Sequence, residues 1–199
     1  MKAPVTIVAV AVALLGGLAG CGGPDDRPRA GELSVTFIPL PASVPELQLT
    51  SATMRLSHIG VFGNAPPPPG PPPPNDLAFD ALDGGVRRDF MLPPGIYSRV
   101  QLAYENVVIN GTWRGTPFQV RLAMMRGFPV DLRATVGREL SVDNDVAFVV
   151  DVDVGSWFAG NLLDGAVASG GQIICDPLTN PAITMELGMR IGRSFVLVQ

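Results

Sequence analysis

One histidine, two cysteines and a scatter of aspartates are the side chains here with the reactivity to do chemistry. His58 is the sole imidazole, so a Ser–His–Asp or Cys–His mechanism would have to use it. Cys175 is the thiol within reach of such a reading. A histidine on a strand is more often a surface or bulge residue than a base, and a lone cysteine is more often a small buried hydrophobe. Zinc takes three or four His, Cys or acid ligands, and one of each does not supply that set. Oxygen ligands are more plentiful. Asp143, Asn144 and Asp145 fall in one turn, and Asp151 and Asp153 share a strand face, about 7 Å apart by strand rise. Calcium takes six to eight oxygens, so Asp143, Asp145, Asp151 and Asp153 are the weak candidate ligands, although they match no EF-hand loop. The plainer reading is a solvated outer face with Arg neighbours. The same carboxylates lack the cleft and the raised pKa that glycoside hydrolysis needs. Ala168-Ser169-Gly170-Gly171 lacks the Lys of a phosphate loop. Trp113, beside an expected hairpin turn, is the candidate ligand contact, and Trp157, at the end of an apolar strand, reads as core. No catalytic residue, cofactor or metal is assigned.

The elements that would position these groups follow from apolar spacing. Leu33, Val35 and Phe37 alternate with Ser34 and Thr36, the period of a strand with one buried face. Ala52, Met54 and Leu56 repeat the pattern, then the phase slips to Ile59 and Val61. A one-residue slip turns every side chain over unless a bulge absorbs it, which places a bulge or break at Ser57-His58. Leu77 to Leu82 is a short apolar piece. Pro93-Pro94-Gly95 marks a turn, followed by a strand with Val100, Leu102 and Tyr104 on one side. Asn110-Gly111 is the strongest hairpin signal, because a type I′ turn needs positive φ twice. Phe118, Val120 and Leu122 form the returning strand. Short strands are expected at Val130-Leu132 and Leu140-Val142, then a long one over Val146, Phe148, Val150, Val152 and Val154, and a last one at Ile173-Ile174. The tail fits both periods. Asn180-Pro181 reads as an N-cap with Pro at the first helical position, which tips residues 181–194 towards a helix, with Phe195 to Val198 extended.

Residues 64–75, with eight prolines, cannot donate to a sheet ladder and read as a stiff polyproline loop. With many short strands and turn signals between them, the chain is expected to be all-β, a sandwich or barrel.

The first 21 residues have a separate logic. Lys2 gives a positive start, Val5 to Leu15 is apolar and uncharged, and small residues lead to Cys21. This is the layout of an export signal, and the apolar run is shorter than the roughly 20 residues that span a bilayer. Leu18-Ala19-Gly20-Cys21 resembles the lipobox of bacterial lipoproteins. The resemblance implies cleavage before Cys21 and acylation of that cysteine, with Gly22 leaning towards the outer membrane of a Gram-negative cell. A single acyl chain binds a membrane marginally, and two or three hold firmly at about 0.8 kcal/mol per buried CH₂. Residues 1–20 are then a signal peptide, 21–30 an acylated cysteine with a Gly/Pro linker, and 31–199 one domain.

Removing residues 1–20 of 199 leaves 179, a one-domain length. Lys2 is the only lysine, so 13 Arg stand against 18 acids, a charge of −5. This speaks against nucleic acid as a partner. With Cys21 acylated, Cys175 has no intramolecular disulfide partner, and stability must come from a hydrophobic core.

A second resemblance covers residues 31–178. Gly31-Glu32-Leu33-Ser34-Val35, Met54 to Val61, Phe79-Asp80-Ala81-Leu82, Leu92-Pro93-Pro94-Gly95-Ile96-Tyr97, Val107 to Gly111 and Val150-Asp151-Val152-Asp153-Val154 occur in that order. The order resembles bacterial lipoproteins carrying the domain of unknown function 4382. It implies a single antiparallel β-sandwich, immunoglobulin-like or transthyretin-like, at the cell envelope, and offers no catalytic residues. The proline loop and the tail after Pro177 depart from the pattern. The expected function is a lipid-anchored, non-enzymatic binding or accessory module whose partner is an envelope protein or glycan. An envelope hydrolase or metal-dependent enzyme with a cryptic site, and a structural or adhesive surface protein, are the alternatives.

Overall fold

The structure, a computed structural model, describes residues 30–66, 77–83, 85–123 and 128–198. The expected export segment, Cys21, the expected linker to residue 29 and residues 67–75 of the proline segment lie outside the described residues.

Alternating burial builds the strands as the spacing requires. In β1 (Gly31–Leu40), Leu33, Val35 and Phe37 are fully buried. In β2 (Leu47–Gly63), pairing passes from Leu56↔Tyr104 to His58↔Ala103. The expected bulge therefore sits at Ser57 and keeps both Leu56 and Ile59 in the core. Then come β3 (Leu77–Asp80), β4 (Val86–Leu92) and the long β5 (Gly95–Trp113). They are followed by β6 (Thr116–Leu122), β7 (Phe128–Leu140) and β8 (Val146–Asp153). A short helical turn α1 (Val154–Trp157), a 3₁₀ turn (Leu162–Gly165) and strands β9 (Ala168–Ser169) and β10 (Gln172–Cys175) lead to α2 (Pro181–Arg193) and β11 (Phe195–Val198).

The chain is all-β in architecture, in two sheets of mixed direction. One has the order β11-β8-β1-β4; the other runs β3-β2-β5-β6-β10-β9, with β7 also pairing β5. The antiparallel expectation holds for most pairs and fails for two. β1 and β8 run parallel from Leu33↔Val146 to Leu40↔Asp153, and β6 and β10 run parallel at Phe118↔Ile173. Parallel neighbours need a long crossover, and the chain supplies one by inserting all of β2–β7 between β1 and β8. Side chains from both sheets form a single buried cluster, in which Phe37 of β1 stacks on Phe79 of β3 at 5.9 Å between ring centroids.

The hairpin falls elsewhere than the Asn-Gly signal suggests. β5 runs straight through Asn110-Gly111, and the two adjacent positive-φ residues are Arg114 (φ 49°) and Gly115 (φ 79°). Gly111 is a glycine for another reason: a Cβ there would lie 2.2 Å from the Gln48 carbonyl oxygen of β2. Asn110 lies in a cross-strand polar row. Its Nδ2 donates to Ser51 Oγ (2.8 Å), and its Oδ1 accepts from Gln119 Nε2 (2.8 Å).

The tail resolves to a helix then a strand, as Asn180-Pro181 indicated. The capping detail differs: the Asn180 side chain makes no bond to the helix. Its Oδ1 accepts from Val167 N (3.3 Å) and its Nδ2 donates to the Ile174 carbonyl (2.6 Å). Leu187 and Ile191 of α2 are fully buried. Gly192 allows β7 to approach, since a Cβ would sit 2.9 Å from the Phe128 ring. Val130-Leu132 and Leu140, expected as separate short strands, belong to the one strand β7.

Candidate functional site

His58 and Cys175 do not meet. β2 and β10 are three strand spacings apart through β5 and β6, about 14 Å across the sheet. They are offset further along it, since His58 pairs with Ala103 while Cys175 aligns through Val120 with Ile109. His58 is exposed. Cys175 is buried, and its desolvation, with Asp176 nearby, pushes the thiol up to about 11.

The aspartates also separate. Asp143 and Asp145 sit in the β7–β8 turn, while Asp153 ends β8, eight residues or about 26 Å further on by strand rise. Asp153 Oδ1 accepts from Ser156 N (3.1 Å) and starts α1, a structural task. Asp151 lies mid-strand beside Ile38 of β1 and Val196 of β11. Among the described residues no three His, Cys, Asp or Glu come close enough to hold a metal ion, so these four do not form a calcium site together.

Trp113 is not an exposed ligand contact; it is 4 % exposed. Its Nε1 donates to Asp164 Oδ1 (2.9 Å), and the Arg114 guanidinium lies over its ring, 5.1 Å from the centroid. Trp157 is fully buried, as expected, and its Nε1 donates to Ser194 Oγ (2.8 Å).

Two clefts occupy one end of the domain, where β1 begins. Gly31 pairs with Leu92 and lies against Leu140 and Ser141, while Gly95 pairs with Leu140 and Gly63 with Tyr97. The start of β1, the β4–β5 turn, the end of β2 and the β7–β8 turn therefore share this end.

The first cleft, of about 320 Å³, is lined by Val61, Phe62, Ala65, Pro66, Leu92 and Tyr97. The Leu-Pro-Pro-Gly-Ile-Tyr motif builds its wall. Tyr97 folds back so that its hydroxyl donates to the Pro93 carbonyl (2.7 Å), and burial pushes its phenol above the ordinary range. Asn64 N donates to the Ile96 carbonyl (3.0 Å), and Ile96 N donates to Asn64 Oδ1 (2.8 Å). The approach is close enough that a Cβ on Gly95 would lie 2.7 Å from Ala65 Cβ. Outside, the Arg99 guanidinium lies 5.4 Å from the Phe62 ring centre and its Nε donates to Asp131 Oδ1 (2.6 Å). That bond is the main cause of the lowered Asp131 pKa.

The second cleft, of about 510 Å³, lies between the end of β7 and the start of β8. It exists because β7 bulges: pairing jumps from Tyr97↔Arg138 to Arg99↔Arg133. Arg138, Glu139, Asn144 and Asp145 line it with Val136 and Val146. Its chemistry is a guanidinium, two carboxylates and an amide around an open hollow, with no thiol, imidazole or hydroxyl among the lining side chains. Of the oxygen-bearing residues singled out from sequence, Asn144 and Asp145 border it. The sequence signal for the first cleft is the Pro-Pro-Gly-Ile-Tyr turn; residues 133–139, which shape the second, carry no periodic or turn signal of their own.

At the other end of β8, Asp153 borders a cleft of about 250 Å³ with Ser156, Arg190 and Arg193. Arg190 is committed to Glu186 (2.7 Å) and to the Ala159 carbonyl. Among the described residues no helix is long and apolar enough to cross a membrane.

Comparison with protein-family models, with curated proteins and with solved structures returns no match for this chain.

Proposed function

We propose that this protein is a lipid-anchored lipoprotein of the bacterial cell envelope, on the outer membrane of a Gram-negative cell, whose domain is a β-sandwich acting as a non-enzymatic binding or accessory module. The observation that carries the reading is Leu18-Ala19-Gly20-Cys21, placed directly behind the uncharged apolar run Val5 to Leu15 and a single lysine. A shared core supports the sandwich part: inward residues of both sheets belong to one cluster, with Phe37–Phe79 and Tyr104–Phe195 ring contacts linking them. The separation of His58 from Cys175, and of the aspartates from one another, favours binding over hydrolysis. Membership of the family with the domain of unknown function 4382 is part of the same proposal and rests on the Leu92-Pro93-Pro94-Gly95-Ile96-Tyr97 turn in its ordered context.

Mass spectrometry of the protein isolated from membranes is expected to find Cys21 at the amino terminus carrying acyl chains. Cys21→Ala is expected to move the protein from the membrane to the soluble fraction. An intact or unmodified amino terminus sinks the proposal. The binding role is tested by incubating the purified domain with envelope extract, where capture of a defined protein or glycan is expected.

A further inference from the structure

We infer that the end of the domain carrying Phe62, Met91, Ile96, Val136 and Val142 rests against the lipid bilayer. This depends on the anchor at Cys21 proposed above. The distance between anchor and domain sets the geometry. Ten residue steps separate Cys21 from Gly31, at most about 35 Å fully extended and roughly 17 Å for a coil of that length. Gly31 opens β1 against Leu92 and Ser141. The end that holds the two clefts is therefore the end held nearest the acyl chains, at high effective concentration of lipid.

That end is also armed with apolar side chains that the fold leaves uncovered. Val142 lies in the β7–β8 turn, Met91 and Ile96 flank the β4–β5 turn, and Phe62 precedes the last residue of β2. Val136 sits on the β7 bulge next to Gly137, whose added Cβ would touch the Ile96 side chain. Val136 is 68 % and Met91 65 % exposed. A ring of single apolar side chains around a tethered end suits shallow insertion at the headgroup boundary. Arg99 is paired with Asp131, and Arg138 shares the second cleft with Glu139 and Asp145, so charge does not draw this end to an anionic surface. The contact is apolar and should occur on zwitterionic lipid.

The test uses the full acylated protein purified from membranes and reconstituted into phosphatidylcholine vesicles. Single cysteines at Met91→Cys and Val142→Cys carry an environment-sensitive fluorophore. Leu40→Cys, nine residues from Gly31 along β1 and so roughly 30 Å away, and the exposed Leu178→Cys are controls. Circular dichroism verifies folding of each variant, and Cys175, being buried, stays unlabelled. A blue shift and quenching by spin-labelled lipid are expected at residues 91 and 142 and not at residues 40 and 178, unchanged by 0.5 M salt. Equal water exposure at all four positions, in protein that still floats with the vesicles, overturns the inference and leaves the anchor standing. If the protein purified from membranes proves to carry no acyl chains on Cys21, the anchor falls, and the inference with it.

Discussion

Burial sets the behaviour of Cys175 and Tyr104. With its thiol pushed up to about 11 by desolvation, roughly one Cys175 in a thousand is thiolate at pH 8. A thiol-reactive dye is expected to label the folded domain far more slowly than the denatured one. The linkage has a definite sign. The neutral thiol is favoured in the fold, so its stabilising share is complete below the unfolded thiol pKa and is lost as pH climbs towards about 11; denaturation midpoints measured from pH 8 to 10.5 should fall. Burial also raises the Tyr104 phenol pKa strongly, and its hydroxyl donates to the Gly188 carbonyl of α2. Tyr104→Phe is expected to cost about 1 kcal/mol in chemical denaturation, because it unties β5 from α2 while leaving the ring packing intact. Apolar spacing foretold that Tyr104 and Trp157 are core. The burial of Trp113 is not legible locally, because its partner Asp164 lies 51 positions along the chain, a relation that no local pattern carries.

Elements were legible where period and punctuation agreed. β1, β8 and the Ser57-His58 bulge followed from phase alone, and Pro181 placed the start of α2. β4 escaped notice because Arg88 interrupts the row Val86, Phe90, Leu92 on its inner side, and charged Arg87 and Asp89 mark it as an edge strand. The Asn110-Gly111 signal points four residues ahead of the true turn because Gly111 answers a steric demand, not a φ demand. Two substitutions separate these roles. Gly111→Ala should cost about 2–3 kcal/mol, since the new methyl group meets the backbone of β2. Gly115→Ala, with open space around it, should cost only the left-handed strain of about 1 kcal/mol. Asn180→Ala is expected to lose about 1–3 kcal/mol. Hydrogen exchange should show the loss at the Val167 amide, while the first turn of α2 stays protected.

For the molecule as a whole, both sheets draw on one core, so unfolding should be a single event. Phe37→Ala removes a fully buried ring stacked on Phe79 and is expected to cost about 3–5 kcal/mol. Circular dichroism of the sheets and tryptophan fluorescence should report one coincident transition in guanidinium, before and after the substitution. The all-β class was legible from the alternations. Which strands neighbour which was not, because pairing joins distant segments that share no periodic signature. The parallel register of β1 with β8 has a kinetic consequence. The first strand to be made must wait beside β4 until residues 146–153 exist, with one flank of its backbone unmatched and its apolar row ready to stick to a neighbour. Nascent chains released before Val146 should therefore aggregate or remain bound to a holdase, and limited proteolysis should find no resistant amino-terminal fragment among them.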